Sequence, residues 1–337
     1  MLPSFTTKKF LNTVRELSLT RCRVHAMKYA EPLVSVVIPT RNRPHLVARA
    51  VRSALSQSLN PIEIIVVIDG PDDDTLQILC QIEDSRLKVK IIPLHLGSGD
   101  SRNAGVSEAR GHWIAFLDDD DEWFPQKLEV QLQTAQQSSH RYPIIACRLI
   151  ARGEMGDCVR PRRVPGPKES VGEYLFCRKS LFWGKGLLQT STIFTMKDLL
   201  RRVPFKSGLK KHADIDWILR ASTQEGVGVE FVPRPDPLVI WHIENYRSRI
   251  SNRADWRYSL SWIKTNRQLV TSRTFASFIL TWVSESAVRE NDRKAFLILI
   301  REACRYGKPT LIDVLLYLGI WMISTRVRRR IVAFFTR

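Results

Sequence analysis

The sequence contains no paired-cysteine motif: its six cysteines (Cys22, Cys80, Cys147, Cys158, Cys177, Cys304) stand apart, with no CxxC spacing. That excludes a disulfide scaffold and a zinc ribbon, and it points to reduced thiols in a cytoplasmic setting. No continuous apolar stretch opens the chain, so Met1 to Ala30 is not expected to be a signal peptide. The most apolar segment, Leu311 to Ile323, is thirteen residues long and carries Asp313. A bilayer crossing needs about 20 apolar residues, so no spanning helix is expected. Internal repeats and low-complexity segments are also missing, which excludes a solenoid or a disordered scaffold. Acid is scarce: 34 Asp and Glu stand against 52 Lys and Arg, a net charge of +18. An excess of that size speaks of partners such as nucleic acid, an anionic membrane or phosphorylated substrates, and not of fold.

What is present is an alternating pattern. Leu33 to Pro39 is a nearly unbroken β-branched run, the mark of a strand buried on both faces. A polar loop follows, then helical spacing from Leu46 to Leu55. A second strand is predicted over Ile62 to Ile68, closed by Asp69-Gly70-Pro71. Thr75 to Ile82 reads as a helix, Val89 to Ile92 as a strand, Ser101 to Ala109 as a helix and Trp113 to Leu117 as a strand. Strands and helices in this order make an α/β fold with a mostly parallel sheet. Ligands of such sheets sit beyond the carboxyl ends of the strands. Those ends carry Thr40-Arg41-Asn42, Asp69-Gly70 and Asp118 to Asp121, which therefore converge on one crevice.

Four consecutive acids after a buried strand repel one another and raise each other's pKa. A bound cation would neutralise them, and hard oxygen donors select Mg²⁺ or Mn²⁺. A solvated acidic turn or a helix N-terminus is the other way to place such acids.

Four segments in register resemble family 2 glycosyltransferases: Val34-Ser-Val-Val-Ile-Pro-Thr-Arg-Asn-Arg-Pro44, Val66-Val-Ile-Asp-Gly70, Ser101-Arg-Asn-Ala-Gly105 and Phe116-Leu-Asp-Asp-Asp-Asp-Glu-Trp123. The resemblance implies a GT-A nucleotide-binding fold, a DXD-type metal motif and inversion at the anomeric carbon. It places Pro39, Thr40, Arg41 and Asn42 around the base and ribose, and Asp69 on the base. Ile68 stands where the family usually has another acid. Arg102, Asp118 and Asp119 fall to the nucleotide, and Asp120 and Asp118 to Mn²⁺ or Mg²⁺, with His242 as a further metal contact. The segment His212-Ala-Asp-Ile-Asp-Trp-Ile-Leu-Arg220 is similar to the stretch that carries the family's catalytic base. It makes Asp214 the base, with Ala213 in place of the usual Glu. Asp216 is the alternative base, or else orients the helix. Trp123, Gln189, Thr190 and Asp216 fall on the acceptor side. Arg247-Ser-Arg-Ile-Ser251 lies where relatives place basic residues near the diphosphate.

The implied organisation is a basic N-terminal extension over 1–30, a GT-A domain over 31–250, and a helical, basic C-terminal extension over 251–337. The domain divides into a nucleotide-binding half, 31–125, and an acceptor half, 126–250. The donor would be a nucleotide sugar, UDP by resemblance with dTDP and GDP as alternatives, and the acceptor a glycan or a lipid-linked glycan. Leu315 to Ile323 followed by Arg326, Arg328, Arg329 and Arg330 suits an interfacial helix on an anionic membrane, with a core helix as the other reading. The expected location is cytoplasmic, with peripheral attachment to the cytoplasmic membrane face. Nucleic acid is not expected as a partner, because no recognition motif accompanies the charge. The alternatives are a sugar nucleotidylyltransferase, although no glycine lies in Thr40 to Pro44, and an inactive nucleotide-sugar-binding member of the fold.

Overall fold

The computed structural model describes residues 31–153, 156–181, 184, 186–243, 255–324 and 327–328. The basic segment 1–30, the Arg247–Ser251 stretch and Arg326, Arg329, Arg330 and Arg337 lie outside the described residues.

Strand β1 (Val34–Thr40) is buried at all but Pro39. Pro44 then opens helix α1 (Pro44–Leu55), where its fixed φ suits the first turn. Strand β2 (Ile62–Asp69) is wholly buried, and Asp72 caps helix α2 (Asp73–Cys80) by accepting from the Thr75 amide. Strand β3 (Leu87–Ile92), helix α3 (Ser98–Glu108) and strand β4 (Trp113–Phe116) follow. After the acid run come β5 (Glu122–Trp123), α4 (Lys127–Gln137), β6 (Tyr142–Ala146), β7 (Leu149–Arg152) and β8 (Cys158–Arg160). Helix α5 (Val171–Phe176), a 3-10 turn at Thr190–Thr192, β9 (Phe194–Met196), α6 (Lys197–Arg202), α7 (Ala213–Ala221), β10 (Val227–Phe231) and β11 (Val239–His242) complete this part.

The main sheet runs β10-β6-β9-β4-β1-β2-β3. Its pairs are parallel except at β9, which lies antiparallel between β4 and β6. A smaller sheet, β5-β11-β7-β8, stands beside it. Alternate residues of each strand serve opposite faces. Val36, Ile38, Ile64 and Val66 meet α1, α2 and α4, whereas Val37, Ile65, Val67 and Phe116 meet α3 and α7. Gly105 lets α3 lie close, because a Cβ there would fall 2.4 Å from Val37 Cγ1.

The C-terminal helices share the second of these cores. They are α8 (Trp256–Thr265), α9 (Ser272–Phe278), a π turn at Ile279–Val283, α10 (Ser284–Arg289), α11 (Ala295–Tyr306) and α12 (Leu311–Met322). Asp313 closes a capping box with Thr310 and also accepts from Ser277, which explains an acid in so apolar a run.

One buried group opposes the fold. Lys127 is fully buried, its ammonium lies 3.6 Å from the centre of the Trp123 ring, and its Nζ has no hydrogen-bond partner. Burial pushes its pKa down to about 7 from the usual 10.5. Since the folded value lies below the unfolded one, stability is lost as pH falls from about 10.5 to about 7 and then levels off. Lys127→Met, which keeps the stem without the charge, is expected to raise stability at pH 7 by about 2–4 kcal/mol. Denaturation of both proteins between pH 7 and 10 checks this: their difference should shrink as pH rises.

Candidate active site

The acid run is held apart by partners from four directions. Thr40, at the end of β1, donates its hydroxyl to Asp119 Oδ2 at 2.8 Å. Arg43 donates to Asp119 Oδ1 at 2.9 Å and reaches Asp120 at 3.5 Å. Arg102, almost wholly buried in α3, donates to Asp118 Oδ1 at 2.8 Å. Gln189 donates to Asp118 at 3.2 Å and to Asp121 at 2.6 Å, and the Ser191 hydroxyl donates to Asp121 at 2.6 Å. Asp121 thus faces inward, while the Asp118 side chain keeps 26% of its surface open. Burial pushes Asp119 up to about 6 against the pull of Arg43.

Across this cluster stands the first turn of α7. Asp214 is partly buried, and its Oδ1 accepts the amide of Ile215 at 2.9 Å. Burial raises its proton affinity, Arg102 lowers it, and Asp118 raises it further. The same guanidinium therefore acts on both Asp118 and Asp214. His212, at the N-cap, has a left-handed backbone with φ 66°. Its ring lies 4.8 Å from that of Trp262, and its Nε2 is 2.9 Å from the Ser259 hydroxyl. Burial there pushes the imidazole down to about 3, so it is a neutral packing group.

Several expected residues serve the scaffold. Asp216, the alternative base and an expected acceptor contact, is fully buried. Arg220 donates to one of its oxygens at 2.7 Å and the Trp262 indole to the other at 3.2 Å, which removes it from both roles. Trp123, expected beside the acceptor, is 5% exposed and donates its indole N–H to the Ser191 carbonyl at 2.9 Å. Thr190 is buried beside Gln189 in the 3-10 turn. Asp69 accepts from the amides of Leu96 and Gly97 and from His95, which ties it into the turn after β3. His242 Nε2 lies 2.7 Å from Glu122, and Arg49 joins that acid to the Asp120 carbonyl. Pro39, Arg41 and Asn42 border the crevice at the end of β1, and Asn42 adopts φ 52° with its amide donating to Asp72 at 2.6 Å.

The sequence reading gave no role to Arg43, Arg49 or Ser191. Arg43 lies inside the first of the segments that carry the resemblance, and Ser191 directly follows Gln189 and Thr190. Arg49 sits on the side of α1 that faces the acid run.

Comparison with known proteins gives the family. The profile of glycosyl transferase family 2 matches residues 35–203. The amylovoran biosynthesis glycosyltransferase AmsB of Erwinia amylovora is 28% identical over 248 residues, 71% of this chain and 79% of that one. The Escherichia coli protein WfgD, a UDP-Glc:alpha-D-GlcNAc-diphosphoundecaprenol beta-1,3-glucosyltransferase, is 35% identical over 100 residues, 30% of this chain and 40% of that one. Among solved structures, the mannosyltransferase PcManGT of Pyrobaculum calidifontis, in complex with GDP-Man and Mn²⁺, superposes with a TM-score of 0.51. It is 14% identical and covers 94% of this chain and 89% of its own, a likeness that speaks for the GT-A fold. The chain belongs to glycosyl transferase family 2 and is a glycosyltransferase.

Asp216→Ala is expected to destabilise the protein by about 3 kcal/mol, because Arg220 and the Trp262 indole lose a buried carboxylate. Transfer by the folded fraction should be largely kept. Chemical denaturation and a transfer assay corrected for folded protein check the two halves; a loss of transfer in folded protein as large as that of Asp214→Asn would return Asp216 to the site.

Proposed function

We propose that the protein transfers a sugar, with inversion, from a UDP-linked donor to a hydroxyl of a glycan or lipid-linked acceptor, with Asp214 as general base. The observation that carries this reading is that Asp214, on the first turn of α7, lies in the field of Arg102, whose guanidinium holds Asp118 at 2.8 Å. An acceptor hydroxyl would attack C1 of the donor sugar as the bond from C1 to the phosphate oxygen breaks. Asp214 would take the hydroxyl proton, and the electron pair would leave on the nucleoside diphosphate. A carboxylate whose proton affinity is raised by burial suits that task. WfgD, named for a UDP-Glc donor and a diphosphoundecaprenol-linked acceptor, supports the donor and acceptor classes. AmsB likewise supports a place in polysaccharide assembly.

Mn²⁺ or Mg²⁺ fits the hard oxygens of Asp118 and Asp120, with His242, joined to that cluster through Glu122 and Arg49, as the further contact. Among the described residues no three His, Cys, Asp or Glu side chains form a ready cage. One or two carboxylates plus phosphate oxygens are the usual way a protein binds Mg²⁺. When bound, such an ion would offset the charge that develops on the leaving diphosphate. Asp214→Asn is expected to cut transfer by about 10²–10⁴-fold while leaving the Mn²⁺-dependent rise in melting temperature with UDP intact. Asp120→Ala should abolish that rise. A wild-type protein that no nucleoside diphosphate stabilises would favour an inactive member of the family.

We also infer that the protein docks on an anionic membrane face. No described helix is long and apolar enough to cross a membrane. Yet Leu311, Leu315, Leu318 and Met322 stand exposed along one side of α12, Leu311 by 75% and Met322 by 80%. The arginines of 326–330 follow directly in the chain. An apolar stripe beside a basic cluster is the pattern of a helix lying in the headgroup boundary. The protein is expected to float with phosphatidylglycerol vesicles at low salt, and Leu315→Gln/Leu318→Gln/Met322→Gln to stay behind. Equal flotation of the two would remove the helix from that role.

A further inference from the structure

The transfer chemistry leaves unused a group of cations where the C-terminal helices meet the acceptor half. Arg178 follows α5, Arg289 ends α10, and Arg328 lies beyond α12. They gather about Glu285, which Arg289 reaches at 3.8 Å and Arg328 at 3.9 Å. Neither contact is short enough to be a hydrogen bond. Arg178 lies in the field of both Glu285 and Arg328: burial lowers its hold on its proton most, Glu285 raises it, and Arg328 lowers it again. Its guanidinium donates to the Leu181 carbonyl at 3.1 Å, a neutral partner that offsets no charge. Three guanidiniums around one carboxylate repel each other and leave a positive surplus, which a bound anion would relieve.

The cluster lies between two features already described. On one side is the proposed base: Lys211, three residues before Asp214, lies in the field of Arg289 as well as of Asp255 and Glu290. Those two acids are turned to α8, where Glu290 accepts the Trp256 amide at 2.8 Å and Asp255 the Tyr258 amide at 2.9 Å. On the other side the chain ahead of Arg328 is apolar and exposed, Met322 by 80%, Ile323 by 37% and Val327 by 46%. An apolar end, a cation cluster and a carboxylate thus follow one another. A lipid-linked sugar has its three parts in the same order: a hydrocarbon chain, a phosphate bridge and a sugar hydroxyl. Guanidinium is the side chain best fitted to phosphate, which it meets through two parallel N–H donors.

We propose that Arg178, Arg289 and Arg328 form the subsite for the phosphate bridge of a lipid-linked acceptor, with a diphosphate as the class that fits their surplus of charge. This rests on the lipid-linked reading of the acceptor above. Glu285 keeps the three guanidiniums together before the acceptor arrives. A lipid held there would lay its chain toward Met322 and Val327 and send its sugar past Arg289 and Lys211 toward Asp214.

The test is calorimetric titration of the full chain, first saturated with UDP and Mn²⁺ so that the donor's place is filled, with geranyl diphosphate, geraniol and inorganic pyrophosphate. Wild type is expected to bind geranyl diphosphate about tenfold more tightly than geraniol, and more tightly than pyrophosphate, which lacks the chain. Arg289→Gln should weaken geranyl diphosphate about tenfold and Arg178→Gln/Arg289→Gln about a hundredfold, with UDP affinity unmoved. Arg289 is exposed, so its single variant should fold, and melting temperatures check both. Arg328 is left in place because it belongs to the stretch proposed to meet the membrane. Flotation with phosphatidylglycerol vesicles separates the acceptor's phosphate from a membrane headgroup: the double variant should float as wild type does. Its loss from the vesicles overturns the proposal, as does a wild type that prefers pyrophosphate. Variants that keep wild-type affinity for geranyl diphosphate also overturn it, and leave the lipid-linked reading standing. A UDP-bound wild type that ignores geranyl diphosphate is a different failure, seen before any variant is made: the lipid-linked reading falls and takes this inference with it.

Discussion

The site depends on keeping four adjacent carboxylates at the end of a buried strand. Asp118 to Asp121 carry like charge on consecutive residues, an arrangement that would repel itself apart without partners. Their donors come from three elements: Thr40 and Arg43 from the β1–α1 junction meet Asp119 and Asp120, Arg102 from α3 meets Asp118, and Gln189 and Ser191 from the turn before β9 meet Asp121. Those elements can reach the run only because α3 lies close on the sheet at Gly105 and β9 inserts antiparallel beside β4. The topology and the electrostatics therefore require each other. Remove the helices and the acids have no counter-charge; remove the acids and the arginines of α1 and α3 converge on nothing.

The fold was legible where period and burial agree. The runs at Val34 and Ile62 read as buried strands because nearly every residue in them is apolar, and the structure makes β1 and β2 of them with every facing pair in register. The convergence of Thr40 and the acid run on one crevice followed from the rule for parallel sheets. Side-chain commitments were not legible. Asp214 and Asp216 are two residues apart on one helix and chemically identical, and what sets them apart is that Arg220 and Trp262, the latter 46 positions downstream, occupy the two oxygens of Asp216. Trp123 likewise sits beside the acids in sequence, but its indole turns under the sheet to Ser191. Asp69 matched a ligand-contacting position by motif, and its oxygens are occupied by a turn whose amides carry no sequence signal. Contacts distant in the chain decided each case.

The C-terminal helices pack against the segment that carries Asp214, the proposed base, although the family profile ends at residue 203. Three hydrogen bonds join α8 to the start of α7: Tyr258 accepts the Lys210 amide at 3.1 Å, Ser259 meets His212, and Trp262 meets Asp216. They bracket Asp214 on both sides in sequence. His212 holds a left-handed backbone that few residues adopt readily, and a cage of Trp262, Tyr258, Phe278 and Trp282 surrounds its ring. Strain of that kind persists only where surrounding packing fixes it.

The same helices continue into α12, whose outer face is apolar, while α9 and the π turn pack between it and the His212 cage. A rigid core transmits displacement because its side chains interdigitate with few voids. The element proposed to meet the membrane and the element that carries the proposed base thus belong to one packed unit, which gives a physical reason for a helical C-terminal part.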